Sequence, residues 1–190
     1  TAGSQAAPTA APSPKHPPRR TAARRSAGDH LSDPGPALTG QLAAAVALCR
    51  QSRSPLSLLI VDPADSSELF LTLGSDEYDR FRRFLEAACR TIDPSALCLP
   101  NGEAGFAVVL PGFERQAAVR MGNQLIDQVR RLPLRSAAGS RRAASLAVGA
   151  ATVSLPPKNF PPDDLFSAAN RCLYGSRLSG GGVVKSIEIY

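Results

Sequence analysis

The stretch Ala96-Leu97-Cys98-Leu99-Pro100-Asn101-Gly102-Glu103-Ala104-Gly105-Phe106-Ala107-Val108-Val109-Leu110-Pro111 reads as two short apolar strands around a turn. Ala96 to Leu99 and Phe106 to Leu110 are the strands, and Pro100, Asn101 and Gly102 supply the break between them. Pro111 and Gly112 stop the second strand. Upstream, Leu56 to Val61 is a continuous aliphatic run closing on Asp62, which suits a central strand buried on both faces. Downstream, Ala144 to Val153 is a further strand, with a bulge expected at Gly149, and Val183 to Ile189 is a last one.

Helical periodicity fills the intervals. From Ala37, the residues Leu38, Leu42, Val46 and Cys49 share one face, and Ser52 to Pro55 ends the segment. A short helical piece through Leu69 to Leu73 is stopped by Gly74. Ser75 reads as the N-cap of a longer helix, with Asp76 and Glu77 in its first turn and Phe81, Phe84, Leu85 and Ala88 on its apolar face. Residues 114–131 form an amphipathic helix with Ala117, Met121, Leu125, Ile126 and Val129 inward. Asp163 or Asp164 starts a helix through Leu165, Ala168, Ala169, Cys172 and Leu173, and Gly180 to Gly182 ends that region. Strands alternating with helices around a hairpin predict one α+β domain, a single sheet with helices packed against it.

The 190 residues, 43% hydrophobic, suffice for one ordinary core. The net charge of +6 is unevenly placed. Residues 1–28 carry Lys15, Arg19, Arg20, Arg24 and Arg25 and no acid, so the remainder is close to neutral, with 17 basic residues against 16 acids. The isoelectric point therefore gives no support to a folded nucleic-acid binder. Residues 1–28 are rich in Ala, Pro, Ser and Arg and hold almost nothing to bury, which predicts a disordered linker. Cys49, Cys89, Cys98 and Cys172 are widely spaced, and the only histidines are His16 and His30. A zinc site is not expected, and the cysteines read as small buried hydrophobes in a reducing cytoplasm. No apolar run reaches the roughly 20 residues of a membrane helix, and the first residues have no signal-peptide core. A start at Thr1 suggests a piece of a longer protein.

Six motifs in order, Asp29-His30-Leu31-Ser32, Pro55 to Asp62, Gly74 with Asp79, Phe106 to Pro111, Ala147-Val148-Gly149 and Ala169 to Arg177, carry a family resemblance. The chain resembles the GGDEF domain of diguanylate cyclases, which join two GTP molecules into cyclic di-GMP, over about residues 29–187. Asp29-His30-Leu31-Ser32 is similar to the family's opening D-x-L-T, although Pro36 and Ala37 stand near where its Asn and Arg would be. Pro55 to Asp62 resembles the first strand with its metal-binding Asp. Gly74 and Asp79 fall at the glycine of G-H and the aspartate of G-D. Phe106 to Pro111 is close to F-A-V-L-L-P, Ala147-Val148-Gly149 stands at S-I-G, and Ala169 to Arg177 is similar to A-D-x-A-L-Y-x-A-K. The resemblance implies a ferredoxin-like, palm-type nucleotide cyclase fold, with a mostly antiparallel sheet of about five strands.

The resemblance also locates chemistry that this chain lacks. The family reaction uses two metal ions to activate a hydroxyl and neutralise a triphosphate, and Mg²⁺ needs oxygen ligands. Aligned on Phe106, the signature reads Gly102-Glu103-Ala104-Gly105-Phe106, so the two acidic positions are Ala104 and Gly105. Asp62 alone remains as a metal ligand. Glu103 occupies a position that is normally Gly, and only a one-residue slip of the hairpin would bring it inward while turning its neighbours outward. Arg177 stands where the family's Lys meets the triphosphate. Each survivor has a plain structural alternative: Asp62 as a cap for the following helical turn, Arg177 as a charge complementing a helix C-terminus. The guanine-reading Asn aligns with Phe70, and the inhibitory R-x-x-D with Asp93-Pro94-Ser95-Ala96.

The expectation is a catalytically inactive GGDEF-like domain, cytoplasmic and bacterial, with no cofactor and a regulatory or protein-contact role. Its partner would be a protein, an upstream domain of the same polypeptide or a second copy; no specific nucleic acid and no membrane span are expected. The alternatives are an active or residual diguanylate cyclase using Mg²⁺ with Asp62, Glu103 and Arg177, and a nucleotide receptor without turnover. A tether acting through the Arg-rich tail is a further possibility.

Overall fold

The computed structural model describes residues 34–190 and the isolated Gly3. The expected linker and the motif Asp29 to Ser32 otherwise lie outside the described residues. Along the chain run α1 (Pro36–Ser52), β1 (Leu56–Pro63), α2 (Ser66–Leu73), α3 (Ser75–Thr91), β2 (Leu97–Asn101), β3 (Gly105–Pro111) and α4 (Arg115–Arg131). There follow β4 (Leu134–Arg135), β5 (Arg141–Arg142), β6 (Leu146–Val153), α5 (Pro162–Leu178) and β7 (Val184–Glu188). The main sheet has five strands in the order β2-β3-β1-β6-β7. All neighbours are antiparallel except β6 and β7. This is the expected α+β architecture with a mostly antiparallel sheet.

The central position of β1 explains its unbroken aliphatic run. Leu59 and Val61 face one apolar cluster with Phe81, Leu85, Leu125 and Val129 from α3 and α4. Leu58 and Ile60 face a second with Leu38, Leu42, Leu165 and Ala169 from α1 and α5. The period of two thus delivers side chains to both helical layers. Ser57 is the fully buried polar residue of the strand. Its hydroxyl donates to the Phe113 carbonyl at 2.8 Å and pairs with the Thr152 hydroxyl at 2.6 Å, so neither buried oxygen is orphaned.

Several local expectations change. Gly149 causes no bulge: Ile60 stands opposite it in an unbroken ladder. A Cβ there would lie 2.2 Å from both the Ala169 carbonyl oxygen and the Leu173 nitrogen, so the glycine lets α5 rest directly on the strand. The hairpin turn is Gly102-Glu103-Ala104, because Pro100 and Asn101 are already paired with Phe106 and Gly105. Proline is tolerated there because β2 is an edge strand. Gly74 both closes α2 and caps α3, with φ 79°, and Ser75 is the first helical residue rather than the cap. On α4 the fully buried positions include Ala118 and Gly122, while Met121 is half-buried. Cys49, Cys89 and Cys98 are buried, Cys172 is half-buried, and all four are free.

Candidate functional site

Asp62 is the half-buried residue near the end of β1, paired with Ala147 of β6 and one residue past the last β3 pair, Val61 with Phe106. As an even-numbered residue of the strand it shares the face of Leu58 and Ile60, against which α5 packs. That geometry brings the last turn of α5 to it. The Arg177 guanidinium donates from Nη2 to Asp62 Oδ2 in a close ion pair. Burial lowers the guanidinium below its ordinary value, yet an arginine remains cationic at any working pH. The capping alternative for Asp62 is not what occurs: Asp65 is the N-cap of α2, its Oδ1 accepting from the Glu68 amide at 3.2 Å. Arg177 does sit in the last turn of its helix.

Ser176, the neighbour of Arg177, fastens that turn to the sheet. Its buried hydroxyl donates to the Val183 carbonyl at 2.6 Å and accepts from the Val148 amide at 3.2 Å. The α5 end, β6 and the approach to β7 are therefore tied at one atom, and Arg177 is presented from a fixed base.

The hairpin approaches Asp62 through Gly105. A Cβ at Gly105 would lie 2.7 Å from the Val61 carbonyl oxygen and 3.1 Å from Asp62 Oδ1. The fourth signature position is thus beside the carboxylate, but it has backbone where a side chain would begin. Ala104 is buried with 4% exposure and supplies only a methyl group. Glu103 is exposed at the turn. The register, Val61 opposite Phe106 and Asn101 opposite Gly105, has no slip that would turn it inward. Among the described residues, no three His, Cys, Asp or Glu side chains gather as a cation site.

Glu103 instead lines an open pocket of about 450 Å³ with Ser66, Ser67, Phe70, Tyr78 and Arg82. Phe70 and Tyr78 meet edge to face, centroids 5.2 Å apart. The Tyr78 phenol is pushed up by burial, against the opposing pull of Arg82 and with Glu103 and Asp79 adding to the rise. Among the described residues, Arg82 Nε is buried without a hydrogen-bond partner. The sequence placed Phe70 here only through the alignment; the aromatic pair and Arg82 went unread, although Tyr78 and Arg82 at i and i+4 on one helix were a usable signal.

The stretch aligned with the inhibitory motif has another use. Asp93 Oδ1 accepts from the Ser95 amide at 2.8 Å and hydroxyl at 2.6 Å, closing the turn after α3. These bonds hold the Asp93 carboxyl below the ordinary range. With the folded value depressed, its contribution is present above about pH 4 and is lost as pH falls through the lowered value. Urea midpoints across that window should therefore fall less steeply for Asp93→Asn than for the parent. Equal slopes would show that the turn bonds carry no linkage.

No family model matches the chain, and no curated protein matches it. Solved structures do. The active GGEEF domain of a diguanylate cyclase from Vibrio cholerae superposes with TM-score 0.71 at 19% identity, covering 81% of this chain and 96% of that one. The GGDEF domain of DgcB from Caulobacter crescentus, in complex with c-di-GMP, gives 0.71 at 17% identity, over 86% and 96%. The GGDEF domain of TpbB, or YfiN, from Pseudomonas aeruginosa gives 0.68 at 25% identity, over 78% and 86%. With the sheet order and the hairpin at Asp62 already in place, these likenesses establish that the chain is built on the GGDEF-domain fold.

Proposed function

We propose that this domain is a catalytically silent GGDEF-type module that acts through contact with protein in cyclic di-GMP signalling. One observation carries the reading: the carboxylate at the metal-ligand position, Asp62, is taken by the Arg177 guanidinium, and the neighbouring signature positions are Ala104 and Gly105. A divalent cation such as Mg²⁺ demands several hard oxygen ligands in near-octahedral order. One carboxylate, already neutralised by a fixed cation, is a donor set that does not fit it. The base-recognition position is an exposed phenylalanine, Phe70, which cannot answer the hydrogen-bonding edge of guanine. An unanswered polar group of that kind costs about 1–3 kcal/mol.

Support for a contact role comes from α2. Phe70 is 47% exposed and Leu71 80% exposed, side by side at the rim of the pocket. Apolar side chains presented together on an otherwise polar helix face are the composition of a protein-contact site. The partner is a protein segment, from the same polypeptide or from a second copy. Among the described residues no helix is long and apolar enough to cross a membrane.

The test is incubation with GTP and Mg²⁺ or Mn²⁺ followed by chromatography. The protein should yield no more cyclic di-GMP than its Asp62→Ala variant. Metal-dependent product that disappears in Asp62→Ala would replace this reading with that of an active cyclase.

A further inference from the structure

A second charged feature lies apart from the Asp62 site. Residues 130–142 hold five arginines, Arg130, Arg131, Arg135, Arg141 and Arg142, and no acid. The fold gathers four of them. Arg130 and Arg131 leave the last turn of α4, Arg141 and Arg142 form β5, and together with Leu132, Pro133 and Ala143 they line one concavity of about 360 Å³. The fifth, Arg135, is paired directly opposite Arg141 in the β4–β5 ladder. Like charges so opposed destabilise a strand pair.

Local carboxylates do not neutralise this cluster. Asp127 reaches Arg130 at 3.6 Å, both side chains more than half exposed. Asp65 and Glu68 line the adjoining hollow with Arg142, and Glu77 accepts from the Arg135 amide at 3.0 Å while pairing with Arg80. None of these carboxylates is within ion-pair distance of Arg131, Arg141 or Arg142 among the described residues. Complementing the α4 C-terminus accounts for Arg130 and Arg131, but β5 is not a helix end. The hairpin is held by other means: Ser136 and Ser140 bond through backbone and hydroxyls, and the Ala137 amide donates to the Thr72 carbonyl at 2.9 Å. Its arginines are therefore free of a structural duty.

We propose that this concavity binds a small, multiply charged phosphate compound. Guanidinium groups are suited to phosphate, offering forked donors that match its oxygens. Convergence from two elements into a hollow suits a compact anion, whereas a bilayer or duplex would be met by an extended basic face. The site is independent of the silent-module reading and of Arg177.

The experiment is calorimetric titration of the protein with inorganic tripolyphosphate at low and moderate salt. Binding should weaken as salt rises. An Arg131→Glu/Arg142→Glu double variant, exposed at both positions, should lose about tenfold or more in affinity, while Arg171→Glu and Arg177→Met keep the parent value. Circular dichroism establishes that the double variant is folded; should it fail to fold, Arg141→Gln alone should still weaken binding measurably. No heat with the parent would overturn the proposal. So would binding lost in Arg177→Met, which assigns it to the Asp62 site, or equal loss in Arg171→Glu, which assigns it to net charge. Binding to anionic vesicles without binding to tripolyphosphate would overturn it in favour of a membrane surface.

Discussion

Replacing Gly149 with valine is expected to destabilise the domain severely, by about 3 kcal/mol or more. The reason lies in how α5 meets the sheet. The residues of β6 that face α5 are small, Ala147, Gly149 and Ala151, and the helix answers with Ala168 and Ala169. A first side-chain carbon at 149 would sit 2.2 Å from two backbone atoms of α5 and 2.8 Å from the Leu173 Cα. Backbone cannot rotate away as a side chain does, so the whole helix must lift. Lifting α5 would withdraw Leu165, Phe166 and Leu173 from the second apolar cluster and carry Arg177 from Asp62. Native stability is itself only some 5–15 kcal/mol. Urea unfolding should show a large fall in midpoint with an unchanged slope for any folded fraction. A midpoint within experimental scatter of the parent would mean that α5 is not seated as described. Gly122 offers the contrast: there the nearest atoms to a new Cβ are side-chain methyls of Val184 and Val148, at 2.8 and 3.1 Å, rather than helix backbone.

Writing the family's acid back into the chain at Gly105 should fail. Gly105→Glu places its Cβ 2.7 Å from the Val61 carbonyl oxygen and 3.1 Å from Asp62 Oδ1. It also brings a second negative charge to a half-buried site whose one carboxylate is already matched by one guanidinium. We expect a loss of about 3 kcal/mol, read from denaturant unfolding, and no gain of divalent-cation affinity. A variant as stable as the parent that bound Mn²⁺ would show that the hairpin adapts readily, and that only the missing side chains separate this domain from a cation site.

Much of the frame was legible because periodicity reports burial. The run Leu56 to Val61 could only be a strand covered on both faces, and the helices over Pro36–Ser52, Arg115–Arg131 and Pro162–Leu178 follow their apolar repeats. The misreadings have a common cause, in that a local signal was settled by a tertiary neighbour. Gly149 looked like a bulge because sequence does not show the helix pressing on it. Pro100 looked like a turn residue because sequence does not reveal which strand is the edge. The pair β4 and β5 escaped notice altogether: two residues each leave no periodicity, and the hairpin persists through the Thr72 carbonyl and Glu77, both distant in the chain. The arginine cluster was missed with it, since near-neutral charge over residues 29–190 conceals five arginines gathered within 130–142.

At the candidate site, Asp62 and Arg177 could each be singled out from the alignment, but not their union. Residues 115 apart in sequence meet only because β1 is central and α5 lies across it. Likewise the turn containing Glu103 could be seen, but its joining a pocket with Phe70, Tyr78 and Arg82 depends on the packing of α2 and α3.

The proposed silence of this domain rests on Asp62 being held by an internal cation, Arg177, in place of an external one. Electron paramagnetic resonance of Mn²⁺ reads this directly, because the free aqueous ion gives a sharp spectrum that broadens on binding. Titrated into Mn²⁺, the protein should leave the free-ion signal undiminished, and Asp62→Ala should behave identically. A protein-dependent loss of signal that Asp62→Ala abolishes would contradict it.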